Sequence, residues 1–167
     1  MTRRGELGIP LILKISLNQC TGCKSCMMAC SLEKEGLFSP TLSRILVHED
    51  EGRCLAIATI CEHCPRPRCL PVCPTSAIVK EQETGLTRIL AEKCNGCGLC
   101  VEACPFSAVR LTNGMAFICD LCGGKPKCVE VCMPGAIQWV EADKTNTAQK
   151  WAWATERIKA LGEWRSR

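Results

Sequence analysis

The chain of 167 residues has no tyrosine, three phenylalanines, four tryptophans and two histidines. With so few large side chains its apolar core is thin, so something other than side-chain bulk must hold the fold. It has no unbroken run of about 18 apolar residues, which excludes a membrane-spanning helix. It has no glycine-rich phosphate loop, no dinucleotide fingerprint and no nucleophile paired with a base, so nothing points to substrate chemistry of its own. An export leader is also lacking its parts. Arg3 and Arg4 faintly match a twin-arginine start, but the apolar run at 7–15 is broken by Pro10 and Lys14. No small-residue cleavage site follows before Cys20. A cytoplasmic chain with reduced thiols is the expectation.

What the chain has in excess is cysteine, 17 residues of it. At that density cysteines form a disulfide frame or bind metal, and reduced thiols favour metal. Sixteen of them fall into four quartets. The first is Cys20, Cys23, Cys26 and Cys30, and the second is Cys61, Cys64, Cys69 and Cys73. The third is Cys94, Cys97, Cys100 and Cys104, and the fourth is Cys119, Cys122, Cys128 and Cys132. The first and third read C-x2-C-x2-C-x3-C; the second and fourth widen the middle gap with PRPR and GGKPK. Pro74 and Pro105 follow their quartets directly, Pro134 comes one residue later, and the first quartet has Ser31 instead.

The flanks repeat as well. Apolar, strand-prone stretches precede the quartets at 11–17, 55–60, 86–90 and 115–118, and follow them at 77–79, 108–111 and 136–140. Asn113-Gly114 predicts a hairpin turn, and Glu83-Thr84-Gly85 a second. The last two cysteines of each quartet start a short helix. The expected class is α+β, with short strands and helices recurring four times. In the tail, 144–147 reads as a linker, followed by an amphipathic helix. Trp151, Ala154, Ile158, Leu161 and Trp164 share one face; Glu156, Arg157, Lys159 and Glu163 take the other. The tryptophan face is either core cover or a docking strip.

Three cysteines in one tight loop and a fourth carried off by a helix is a ligand pattern for [4Fe–4S] clusters. Structural zinc usually takes two separated CxxC pairs instead. Four such clusters change the meaning of the formal charge of +4. Sixteen thiolates and four cores of about +2 bring the protein to about −4. The basic excess, including Lys24, Arg66, Arg68, Lys93, Lys125 and Lys127, then offsets cluster charge and is no sign of nucleic acid.

The stretches CTGCKSCMMAC, CEHCPRPRCLPVCP, CNGCGLCVEACP and CDLCGGKPKCVEVCMP resemble those of polyferredoxin electron-transfer subunits of molybdenum and tungsten oxidoreductases. The resemblance covers about 9–141. It implies two fused ferredoxin-like lobes, one from 9–60 with 105–141 and one from 61–104, with 142–167 as linker and C-terminal helix. It further implies crosswise ligation. Cys20, Cys23, Cys26 and Cys132 would hold one cluster, and Cys119, Cys122, Cys128 and Cys30 the second. Cys61, Cys64, Cys69 and Cys104 would hold the third, and Cys94, Cys97, Cys100 and Cys73 the fourth. Pairing quartet one with two and three with four is the alternative. The short gap in quartet four, the absence of a membrane anchor and the short chain are similar to the small subunit of a bacterial tungsten-containing aldehyde oxidoreductase. That implies a catalytic tungsten subunit as partner and a flavin subunit facing NAD. End-to-end association with further copies of the chain would lengthen the row of clusters.

The rivals are a subunit of a hydrogenase, formate or carbon monoxide oxidising complex, a free-standing ferredoxin, and a zinc-stabilised binding module. Of the remaining residues, Cys54 reads as a buried inert thiol in a strand. His63, between Cys61 and Cys64, reads as loop filler or a tuner of the nearest cluster. His48 reads as surface, and Met27 and Met28 as packing around a cluster.

Overall fold

The computed structural model describes residues 11–165. Arg3 and Arg4, the first two residues of the region expected from 9, and the side chain of Trp164 lie outside what it describes.

The seven apolar stretches and the unexpected 46–50 form eight strands in four antiparallel pairs among the described residues. β1 (Leu11–Ile15) pairs with β8 (Ile137–Glu141), and β2 (Leu46–Asp50) with β3 (Leu55–Thr59). β4 (Ile78–Lys80) pairs with β5 (Thr87–Ile89), and β6 (Arg110–Thr112) with β7 (Met115–Phe117). The last two are the hairpins expected at Glu83-Thr84-Gly85 and Asn113-Gly114. Asn113 (φ 53°) and Gly114 (φ 73°) are both left-handed, the backbone a tight hairpin of this twist requires. β1–β8 is the long-range pair: Leu11 faces Glu141 and Ile15 faces Ile137, which brings the first and last quartets to one place.

Helices form within three of the four quartets, but only in the first does the helix hold both last cysteines; Cys104 and Cys132 lie just past theirs. α1 (Ser25–Glu35) carries Cys26 and Cys30, α2 (Leu99–Ala103) carries Cys100, and α3 (Lys127–Glu130) carries Cys128. The second quartet forms turns instead of the expected helix. Pro71, between Cys69 and Cys73, removes a backbone donor and restricts the residue before it, which disfavours a helix there. α1 packs on α3.

α4 (Lys144–Arg165) is longer than expected, because 144–147 is its first turn and not a linker. Asp143 caps it: its Oδ1 accepts from Asn146 N at 2.6 Å and its carbonyl from Thr147 N at 3.0 Å. Its inner face differs from the expected one at Arg157, which is buried beside Ala154 and Leu161 where the periodicity put it outside. The guanidinium pairs with the buried carboxylate of Glu62 and donates to Ile15 O at 3.2 Å, so the charge is met inside. Lys14 of β1 reaches the same helix, donating to Asn146 at 3.1 Å and Gln149 at 2.9 Å and lying 5.0 Å from the Trp153 ring. The described part of the tryptophan face is thus core cover: Trp151 and Ile158 pack with Phe106, Ala108 and Ala154.

The core is divided. One cluster joins Leu13, Ile15, Ile45, Ile60 and Ile137 to Cys26, Cys30, Cys119 and Cys128. A second joins Ile78, Val109 and Ala116 to Cys100, with Cys69, Cys73, Cys94 and Cys104 against it. Met27 is buried in the first, beside these cysteines, and Met28 is half-buried. Cys54 departs from expectation: it is exposed, and it ends the turn between β2 and β3 with a left-handed φ of 51°. A turn residue at a hairpin end has no sheet or helix to cover it.

Candidate metal centres

Each quartet begins with a CxxC loop built on one backbone device. The residue before the second cysteine is left-handed in all four: Gly22 (φ 74°), His63 (φ 49°), Gly96 (φ 71°) and Leu121 (φ 57°). That kink turns both thiols of the loop to the same side. Glycine does this freely, whereas His and Leu adopt it at a cost of about 1 kcal/mol. A second device ends three quartets. Ser76 (φ 52°), Ser107 (φ 51°) and Gly135 (φ 69°), each three residues past the last cysteine, are also left-handed. Their N–H groups return to Cys73 O, Cys104 O and Cys132 O at 3.3, 3.2 and 3.0 Å. The turn then aims a backbone N–H at the sulfur: Ala77 to Cys73 Sγ at 3.3 Å, Ala108 to Cys104 Sγ at 3.4 Å, Ile137 to Cys132 Sγ at 3.4 Å. The first quartet lacks the proline and the turn, since α1 runs on to Glu35; Cys30 Sγ accepts from Arg44 N at 3.3 Å instead.

The thiols gather crosswise in space. Cys20, Cys23, Cys26 and Cys132 line one small pocket. Cys73, Cys94, Cys97 and Cys100 line another, and Cys30, Cys119, Cys122 and Cys128 a third. Cys61, Cys64 and Cys104 meet beneath α4, with Trp151 and Ile158 over them. Among the described residues no three His, Cys, Asp or Glu side chains close on a centre the size of one ion. Three of the crosswise sets line pockets instead.

Their electrostatics show the same sets. Burial pushes the Cys26 thiol up to about 12, and Cys20, Cys132 and Cys23 push it the same way. Burial also pushes Cys119 up to about 12, with Cys30 and Cys122 adding to it, and drives Cys128 upward beside the same thiols. Cys69 is pushed up to about 11 by burial, then by Cys104 and Cys64. Cys100 is raised by burial, with Cys94, Cys97 and Cys73 contributing. Thiolates that are buried and repel one another call for a shared cationic guest. A cuboidal iron–sulfur core fits a set of four separated sulfurs with N–H donors aimed at them.

The second quartet carries polar neighbours that the spacing did not single out. Glu62, between Cys61 and Cys64, is buried against Arg157, with Lys150 Nζ 3.5 Å from its Oε2. His63 Nδ1 accepts from Thr87 N at 3.1 Å, which places the ring proton on Nε2, a buried nitrogen without a hydrogen-bond partner. Burial, then the charges of Lys150 and Lys80, hold the His63 pKa down to about 3, so the ring is neutral. Elsewhere Lys24 pairs with Glu49, and Lys127 with Glu130 at 2.9 Å.

Residues 53–142 match the family described as the 4Fe-4S dicluster domain. The chain belongs to that family. It is 43% identical over 120 residues to the aliphatic sulfonate oxidoreductase polyferredoxin-like subunit of Pyrococcus furiosus, covering 71% of this chain and 69% of that one. It is 34% identical over 137 residues to a subunit of the tetrathionate reductase of Salmonella typhimurium, covering 73% and 54%. It is 31% identical over 153 residues to the iron-sulfur subunit of the nitrate-inducible formate dehydrogenase of Escherichia coli, covering 75% and 52%. The chain therefore spans about half the length of the last two relatives. Among the described residues no helix is long and apolar enough to cross a membrane.

Proposed function

We propose that this dicluster-family chain is a non-catalytic electron-transfer subunit that holds four [4Fe–4S] clusters and relays single electrons through them. The observation that supports the reading is that twelve of the sixteen cysteines line three pockets in crosswise sets, with Cys61, Cys64 and Cys104 together beneath α4. The first set is Cys20, Cys23, Cys26 and Cys132; the second is Cys119, Cys122, Cys128 and Cys30. The third is Cys61, Cys64, Cys69 and Cys104; the fourth is Cys94, Cys97, Cys100 and Cys73. The two interleaved lobes, 9–60 with 105–141 and 61–104, belong to the same proposal. The clusters supply the one-electron chemistry. The chain's own residues set their spacing, shield them and donate N–H groups to their sulfurs.

Electrons that enter must also leave, and two sets reach the surface. Cys23 and Cys97 are exposed. Exposed Met133 follows Cys132, which shares the cavity of Cys23; exposed Leu99, Leu111 and Met115 belong to the elements around Cys97. Apolar side chains next to buried redox centres suit docking of redox partners. The partners in this reading are a tungsten-dependent aldehyde oxidoreductase and a flavin subunit facing NAD, with end-to-end copies of the chain as an extension. Support for the tungsten enzyme is the resemblance in cysteine pattern and the short fourth gap.

Metal analysis of the anaerobically purified chain tests the centre of the proposal. About 16 iron and as much acid-labile sulfide per chain are expected, with a brown colour. About four zinc and no colour would sink it. Identification of the proteins that copurify tests the named partner: a hydrogenase or formate dehydrogenase subunit in place of a tungsten enzyme overturns that part alone.

A further inference from the structure

The loop 61–64 is gripped by cations. Lys80 Nζ, at the end of β4, donates to the carbonyls of His63 at 2.8 Å, Cys64 at 2.8 Å and Gly85 at 2.5 Å. Lys150 Nζ, from α4, donates to the carbonyl of Glu62 at 3.0 Å. Three consecutive carbonyls of one ligand loop thus accept from two ammonium groups that the chain brings from 16 or more residues away. Arg157 stands further along α4, paired with Glu62.

The charge balance here differs from that of the ion pairs around the first and fourth quartets. Lys24 meets Glu49, Lys34 meets Asp120 at 2.7 Å, Arg44 meets Glu35 at 2.5 Å, and Lys127 meets Glu130 at 2.9 Å. Each of those cations has its own carboxylate. At the 61–64 loop Lys150 and Arg157 share one carboxylate, Glu62, and Lys80 spends all three of its N–H donors on carbonyls. The surroundings are also drier: the side chains of Arg157 and Glu62 are 1% and 2% exposed, and that of Lys150 is 12% exposed. Solvent and salt screen buried charge least. A cluster gains negative charge on reduction, so uncancelled positive charge beside it favours the reduced form.

We propose that Lys80 and Lys150 are positioning and tuning residues which make the site of Cys61, Cys64, Cys69 and Cys104 the highest-potential site of the chain. Electrons entering the row come to rest there, under α4. The inference builds on the four-cluster reading above.

The experiment is an anaerobic redox titration of the full chain followed by electron paramagnetic resonance. The chains compared are the unaltered one, Lys80→Met, Lys150→Met, the two Lys→Arg variants, and Lys127→Met as a control beside another quartet. In each Lys→Met variant of the clamp, the most positive reduction step falls so that electron affinity drops about tenfold, ~59 mV for one electron. The other three steps stay in place. The Lys→Arg variants hold the step near its original position, and Lys127→Met leaves it unmoved. An unmoved highest step, a common shift of all steps, or an equal shift in Lys127→Met would overturn the inference. If Lys80→Met loses iron, Lys150→Met decides on the same criteria. Absence of any iron–sulfur signal in the unaltered chain would fell the cluster reading itself; signals with unmoved potentials fell only this inference.

Discussion

Two glycines at the same place in their CxxC loops separate conformation from clash. Both are left-handed, and a side chain there costs about 1–2 kcal/mol on conformation alone. At Gly22 a Cβ would meet Glu49 Oε1 at 2.8 Å, the far end of a side chain that can swing away. At Gly96 it would overlap Gly114 O, the backbone of the β6–β7 turn. Backbone in a tight hairpin cannot yield enough to make room. Gly22→Ala is therefore expected to cost about 1–2 kcal/mol and keep its full iron content. Gly96→Ala is expected to open the loop and lower iron by about one cluster per chain. Iron assay and anaerobic denaturation of the two variants check this; equal losses in both would show that the hairpin gives way. His63 and Leu121 occupy the same left-handed position, and the sequence did not reveal it. The chain spacing C-x2-C is the same whether the third residue is glycine, histidine or leucine, so the backbone requirement stays hidden where glycine is absent.

At the level of elements, the hairpins were legible because turn residues and alternation agree: Asn113-Gly114 and Glu83-Thr84-Gly85 lie between paired strands. β2 was not, because His48, Glu49 and Asp50 break its apolar pattern and its strand is held by pairing to β3. α4 shows the same limit twice. Its start was missed because Lys144 to Thr147 is polar, although Asp143 is a good N-cap. Its inner face was misjudged because a charged residue counts as outward in any periodicity, while burial of Arg157 depends on Glu62, 95 positions away. The pair makes α4 part of the fold and not an appendage. Removing one partner leaves a buried charge uncompensated, at a cost of about 3–5 kcal/mol. Lys150 also faces Glu62 and offsets part of this, so Arg157→Met is expected to cost about 3 kcal/mol. Asp143→Ala removes only a cap, about 1 kcal/mol. Denaturant midpoints read from cluster absorbance order the two. A loss for Asp143→Ala as large as that for Arg157→Met would mean that the pair adds nothing beyond helix formation.

For the molecule as a whole, the last cysteine of each quartet decides how the chain is tied together. Cys30 leaves its own loop for the cavity of Cys119, Cys122 and Cys128, and Cys132 returns to that of Cys20, Cys23 and Cys26. β1–β8 makes this exchange possible by holding residues 11–15 against 137–141. Cys73 sits likewise with Cys94, Cys97 and Cys100. Under the grouping proposed above, ligands far apart in sequence act as one unit and neighbours in sequence act in two. Pairs of substitutions can tell these arrangements apart, since residues acting as a unit are not additive. Cys30→Ser with Cys119→Ser strikes one cluster twice, and iron should stop at about 12 per chain, as in either single variant. Cys20→Ser with Cys30→Ser, closer in sequence, strikes two clusters, and iron should fall to about 8. Pairing quartet one with two predicts two lost clusters for the first pair, because Cys30 would then ligate beside Cys61, Cys64 and Cys69. Cys54→Ser, outside every set, should leave all the iron in place. Iron and sulfide analysis of these chains, with single variants as references, separates the two topologies without any knowledge of the partner.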